Sequence, residues 1–280
     1  MKRLLFPLVL FAGALLITCC NDQAADKPAD ETGQTPAAPS VKTENVTYKD
    51  DTVTLQGTIA YDANDTGKRP AILVVPEWWG VVPFTRSRAE ELAKLGYIAM
   101  AVDMYGNGKV AGNPKEAGNM AMPFYQNPEM AKARLEAAMN ELKKHPQADT
   151  SRIAAIGFCF GGNMVLNSAK LGANFDAVVS FHGGLEGPAP DKNLLKSKIL
   201  VCHGGSDPFV PQQQVETFRK QMDSAGADYT FKVYPDATHA FTNPDATETG
   251  KKFNLPIAYN PKADSASWQD MKAFLGKNLK

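Results

Sequence analysis

Apolar residues arrive in this chain as short unbroken blocks, and helical stretches lie between them. Residues 46–61 alternate around the polar Lys49-Asp50-Asp51, which predicts an opening β-hairpin. Ala71-Ile72-Leu73-Val74-Val75 has no polar break and reads as a strand buried on both faces. Further strands are expected at 97–104, 153–156, 177–181, 199–203 and 229–234. Helices are expected at 85–95 (closing at Gly96), 128–144, 211–225 and 264–279. A small-residue helix also starts at Gly162-Asn163-Met164. Strands alternating with helices predict an α/β fold with a mostly parallel, doubly wound sheet, binding ligands at the carboxyl ends of its strands. No internal repeat and no second domain is visible. Two stretches lack a period: 106–127, rich in Gly, Asn and Met, and 241–261, rich in Asn, Pro and Thr. Both follow strand ends and are expected to be lids or rim loops.

The front of the chain does not belong to this pattern. Lys2 and Arg3 precede an apolar run over 4–17 and then Thr18-Cys19-Cys20. A basic start and a short apolar stretch read as a secretory signal over 1–19, too short to span a membrane convincingly. Cysteine at the cleavage point resembles a bacterial lipobox, so lipidation is expected at Cys19 or Cys20. Neither has the usual Gly or Ala before it, and plain secretion is the alternative. Residues 20–42, rich in Ala, Asp, Pro and Thr, form the expected flexible linker, since few large side chains are present to offset ordering entropy. The folded domain is expected over 43–280, in the cell envelope, periplasmic on a lipid tether.

Composition narrows the partners. The 280 residues are 44% hydrophobic, and thirty basic side chains balance thirty acidic ones, giving zero formal net charge. No global field favours nucleic acid or an anionic membrane surface, so small molecules are the expected partners, with membrane contact only through the anchor. Past the linker only Cys159 and Cys202 remain. A disulfide between them is possible in an oxidising compartment, but Cys202 reads as a buried strand residue and Cys159 has another use.

That use is set by Gly157-Phe158-Cys159-Phe160-Gly161, between an apolar strand and a helix start. This is the G-x-nucleophile-x-G elbow of α/β-hydrolases with cysteine as the nucleophile. The turn strains its central residue, and side chains at either flanking glycine would strike the neighbouring helix and strand. The sulfur stands beside a helix N-terminus, whose partial positive charge favours thiolate. Attack on an acyl carbon needs a base, a group to orient it and donors for the oxyanion. Asp207, after the strand at 199–203, and His239, after the strand at 229–234, supply nucleophile, acid and histidine in the order of this fold. Glu77 follows the buried run at 71–75 through Pro76, so its carboxylate emerges at the same edge. Packed among aromatics, it is expected to have a raised pKa and to exchange a proton with the thiol. Its alternative is a rim charge paired with Arg86 or Arg88. The backbone N–H groups of Trp78 and Phe160 are the expected oxyanion donors. Tyr105, Lys109 and Phe241 are candidate pocket residues, Tyr105 and Phe241 being equally plausible as core.

Other polar residues have simpler readings. His182 and His203 end strands near the same edge, as packing or supporting histidines. His145 reads as a helix C-terminal cap, Asp236 as a turn residue and Asp103 as an acceptor for loop amides. No closely spaced ligand set supports a metal site.

Together, Pro76-Glu77-Trp78-Trp79-Gly80, Val102-Asp103-Met104-Tyr105-Gly106, the Cys159 elbow, Gly204-Gly205-Ser206-Asp207 and His239-Ala240-Phe241 resemble the dienelactone hydrolase family, over 46–280. The resemblance implies an α/β-hydrolase fold with an eight-stranded sheet, a Cys-His-Asp triad and no metal or organic cofactor. It implies hydrolysis of a small ester or lactone through an acyl-cysteine, with Glu77 contacting the resting thiol and shifting on substrate binding. One departure stands out. The family grips a substrate carboxylate with two arginines, whereas the corresponding stretches here read Tyr105-Gly106-Asn107-Gly108-Lys109 and Phe241-Thr242-Asn243-Pro244. Lysine and asparagine do not reproduce bidentate guanidinium pairing, so dienelactone itself is a poor fit. An acyltransferase or thioesterase would use the same triad. A non-catalytic envelope binding protein would have no need of all three groups.

Overall fold

The computed structural model describes residues 38–280. The signal segment, Cys19, Cys20 and the linker up to residue 37 lie outside the described residues. The sheet opens with a hairpin of β1 (Val41–Asp50) and β2 (Val53–Asp62), turning through Asp51, whose φ of 49° aspartate tolerates better than most residues. Val41 and Lys42 already pair with Asp62 and Tyr61, so the sheet begins two residues ahead of the expected domain start at 43.

The remaining strands are β3 (Arg69–Val75), β4 (Ile98–Ala101), β5 (Ala148–Phe158), β6 (Ala177–Phe181), β7 (Lys198–Gly204) and β8 (Tyr229–Tyr234). Their order is β1-β2-β4-β3-β5-β6-β7-β8. Contacts of β2 with β1 and β4 are antiparallel, and all others are parallel. The mostly parallel sheet expected from the alternation is present, with the eight strands the resemblance implies.

Helices α1 (Pro83–Lys94), α2 (Pro114–Gln126), α3 (Pro128–Leu142), α4 (Phe160–Lys170), α5 (Gln212–Ala225), α6 (Ala246–Phe253) and α7 (Pro261–Asn278) complete the fold. Phe84 and Leu92 of α1 and Met271 and Leu275 of α7 bury one sheet face, with Ile72, Val74 and Ile156. Leu135, Leu166 and Phe218, from α3, α4 and α5, bury the other with Leu73, Val75 and Ala155. Successive residues of a strand point to opposite faces, so two covered faces require the unbroken apolar run.

Two expectations change. β4 stops at Ala101, not 104, because the Asp103 carboxylate turns the chain by accepting from the N–H groups of Gln56, Tyr105, Gly106 and Gly108 at 2.8–3.0 Å. Helices α2 and α6 occupy stretches that showed no period. Asn113 caps α2 by accepting from Glu116 N–H at 3.0 Å, and Pro114 suits the first turn. Gly118 and Pro123 inside that helix hide its spacing.

Candidate active site

The elbow joins β5 to α4 at Cys159, which has φ 52° and ψ −115°, a conformation side chains rarely adopt. Its flanks leave no choice of residue. A Cβ on Gly161 would overlap the carbonyl oxygen of Val75 and lie 2.5 Å from that of Pro76; one on Gly157 would overlap the Gly161 backbone. Gly161 N–H also donates to Pro76 O at 3.0 Å, pinning the elbow to the segment after β3.

Asp207 and His239 stand on the loops after β7 and β8. His239 Nδ1–H donates to Asp207 Oδ2 at 2.7 Å, and the Asp207 side chain is inaccessible to solvent. That bond leaves Nε2 available to exchange a proton, and Cys159 and His239 line the same cavity. Burial by itself would lower the pKa of His239. The charge interaction with Cys159, the Asp207 hydrogen bond and the Asp207 charge outweigh it and hold the imidazole well above its usual value. A candidate base, a carboxylate able to orient it and a candidate nucleophile thus stand at one edge of the sheet.

The oxyanion candidates are also close by. Neither Trp78 N–H nor Phe160 N–H makes a backbone hydrogen bond among the described residues. Phe160 opens α4, where amides lack intrahelical partners. Trp78 is held by Tyr105, whose hydroxyl donates to Trp78 O at 2.9 Å.

Glu77 is 2% exposed, so it is not a rim charge. Arg88 instead pairs with Asp264 at 2.7 Å and Glu91 at 2.8 Å, while Arg86 is exposed. The partner of Glu77 is Asn243, whose Nδ2 donates to Oε2 at 2.7 Å. Burial raises the Glu77 pKa to about 7, against the Asn243 bond and the charge of His239. Between pH 4.5 and about 7 the folded chain therefore holds a proton that the unfolded chain has released. Stability falls as pH rises through this window, by up to about 3 kcal/mol. Glu77→Gln should remove that slope, gaining on the wild type between pH 5 and pH 8 in urea midpoints. Parallel curves would refute a neutral, buried Glu77.

Cys159, His239 and Glu77 open onto one cavity of about 240 Å³. Trp78, Trp79, Tyr125, Phe209, Leu255 and Ile257 supply its apolar wall, and Asn163, Gln214 and Thr249 its polar one. Phe209 lies 5.1 Å from the His239 ring, and Trp79 stacks on Phe253 at 5.9 Å. The aperiodic stretches contribute here: Tyr125 comes from α2, Thr249 from α6.

Three pocket expectations are corrected. Tyr105 packs behind the elbow on Phe160 and Phe124 and does not line the cavity. Lys109 is exposed, its backbone held against Gly80, and lines nothing here. Phe241 follows a left-handed turn at Ala240 (φ 58°) and is buried in the core against Tyr234. The sequence reading missed Tyr125, Phe209 and Asn243. Asn113-Pro114 was a usable signal for the helix that carries Tyr125.

The other candidates fall apart spatially. Cys159 and Cys202 are both free thiols. Burial pushes Cys202 up to about 12, and Tyr234 Oη donates to its sulfur at 3.6 Å. His203 packs on Phe231, and His145 Nδ1 accepts from Gln147 N–H in the turn after α3. His182 lies beneath the elbow, with its ring 5.3 Å from that of His239.

Comparison with known proteins supplies the family. A protein of Aquifex pyrophilus named usf is 29% identical over 201 residues, covering 68% of this chain and 87% of that one. A Yersinia pestis protein provisionally named a carboxymethylenebutenolidase is 29% identical over 222 residues, covering 72% and 81%. The crystal structure of a dienelactone hydrolase-like promiscuous phosphotriesterase from metagenomic libraries superposes with TM-score 0.80 at 31% identity, covering 86% of this chain and 99% of that one. The profile of the dienelactone hydrolase family matches residues 55–279, and the chain belongs to that family.

Proposed function

We propose that this ester- and lactone-directed hydrolase acts on uncharged carboxylic esters or lactones through an acyl-cysteine intermediate. The Cys159 thiol gives its proton to His239 Nε2, the sulfur attacks the carbonyl carbon, and the oxygen takes up the displaced electron pair between the Trp78 and Phe160 amides. As the tetrahedral adduct collapses, His239 gives its proton to the departing alkoxide. Water then attacks the thioester, His239 accepts its proton, and the acid leaves as the thiol is restored. Asp207 keeps Nδ1 protonated throughout, so that Nε2 alone exchanges protons. The observation that carries this reading is the 2.7 Å bond between Asp207 and His239, on a histidine that lines the same cavity as the elbow cysteine.

The cavity argues for the uncharged substrate. Among the described residues its lining includes Glu77 and Glu186 but neither lysine nor arginine. A carboxylate entering it would lose its hydration and meet two glutamates, while the positive charge of His239 is already paired with Asp207. Two p-nitrophenyl esters of matched size, a butyrate and a hemisuccinate, test both parts. The butyrate should be favoured at least about ten-fold in kcat/KM, equivalent to roughly 1.4 kcal/mol. Acid-quenched mass spectra should show a butyryl group on the Cys159 peptide. Equal turnover of the two esters would remove the charge argument, and an adduct elsewhere would remove the mechanism.

A further inference from the structure

His182 is the one fully buried histidine beside the catalytic pair that the mechanism does not use. It does not line the cavity, so it touches no substrate there. It stands just past the end of β6 with φ 41°, in the left-handed region. Such a backbone is strained for a residue with a side chain and persists where surroundings over-determine it. What determines it here is visible at both ring nitrogens.

Cys159 N–H, the amide of the nucleophile itself, is shared between Phe181 O at 3.0 Å and His182 Nδ1 at 3.1 Å. An atom that accepts from an N–H carries a lone pair, so the ring proton must sit on Nε2. Nε2 lies 2.8 Å from Thr242 Oγ1 and donates to it. Thr242 stands three residues beyond His239 on the same loop, and its carbonyl accepts from Arg88 at 2.7 Å. The next residue, Asn243, holds Glu77. One imidazole therefore ties the elbow that carries the sulfur to the loop that carries the base. Phe241 closes over the ring at 5.1 Å, and burial drives the pKa of His182 well below its usual value, in keeping with an uncharged ring.

We infer that His182 is a positioning residue that sets the Cys159 sulfur against His239, and that Thr242 fixes the tautomer it needs. Without the Thr242 hydroxyl, Nε2–H would be buried without an acceptor, which favours the Nδ1–H form. That form turns a hydrogen atom toward Cys159 N–H, and the elbow loses one of its two anchors. A small displacement of nucleophile against base slows chemistry with little effect on binding. The inference rests on the acyl-cysteine reading above, but part of its test is independent of any substrate.

The test uses His182→Phe, His182→Asn and Thr242→Val in the full chain. Three quantities are read: kcat and KM on p-nitrophenyl butyrate, the rate of Cys159 alkylation by iodoacetamide, and the His182 tautomer by ¹⁵N NMR. Thr242→Val and His182→Phe should each lower kcat 10- to 100-fold with KM within two-fold, and slow alkylation in parallel. His182→Asn, whose side-chain oxygen occupies the place of Nδ1 and which suits a left-handed φ, should regain most of the loss. The wild type should show a single Nε2–H tautomer, lost in Thr242→Val. If His182→Phe does not fold, Thr242→Val decides the matter, because it is nearly isosteric. Unchanged kcat and alkylation in Thr242→Val would overturn the inference. Should the ester not be hydrolysed while alkylation still slows in the variants, the proposed reaction fails and the positioning role stands.

Discussion

Cys159→Ala should lower kcat/KM for a neutral ester by roughly 10⁴-fold or more, with the domain still folded. Removing the nucleophile from a triad leaves only the binding and oxyanion contributions, and losses of this order are typical. Alanine fits the space, so the comparison is clean if the variant still melts in one cooperative transition. A second readout follows from the charges. Of the influences that raise the His239 pKa, the negative charge at Cys159 is the largest. Cys159→Ala removes it, leaving burial to act against Asp207 alone, so the imidazole titration should move down. A raised histidine adds stability below its unfolded pKa and loses it as pH rises through its folded one. The variant should therefore forfeit some of that contribution near neutral pH. Turnover unaffected by the change would mean that Cys159 has no part in the reaction.

A large effect on folding should come from Gly161→Ala. Its new methyl would meet two backbone carbonyls, those of Val75 and Pro76, and neither can swing aside as a side-chain tip could. β3 lies between β4 and β5 in the sheet, so a shift there spreads into the core. Overpacking against fixed backbone should cost about 3 kcal/mol or more. For a domain of this size that is a fall in Tm of roughly 6–12 °C. Gly118→Ala makes the opposite case with the same chemistry. Gly118 lies within α2, and a Cβ there meets nothing within 4 Å. Alanine in an open helical position should stabilise by up to about 1 kcal/mol. Calorimetry of the two variants should give shifts of opposite sign; a small shift in Gly161→Ala would mean the elbow yields more than its contacts suggest.

These glycines also show how far the sequence could be read. Strands covered on both faces must be apolar throughout, which made β3, β6 and β7 visible as runs. The ends of such strands mark the carboxyl edge, so Cys159, Asp207, His239 and Glu77 could be assigned to one region by order alone. Which way a side chain points after a strand end is another matter, because it depends on the turn. Phe241 lies two residues past His239, yet the left-handed Ala240 sends it into the core. Tyr105 supports Trp78 from behind, while the more distant Tyr125 reaches the cavity. Hydrogen bonds across loops were likewise hidden. Nothing in the order of residues indicates that Asn243 would hold Glu77, or that the ring of His182 would join two catalytic segments.

The backbone at residue 159 carries one last implication. A side chain held at φ 52° there costs on the order of 1–3 kcal/mol that glycine would not incur. By the standard of folding alone, then, the working residue is a poor choice, and a glycine at 159 would give a sturdier but inert chain. On the proposed reaction it is the demand for turnover that keeps a sulfur at that bend, and any programme that screens for heat tolerance alone should be expected to discard it first.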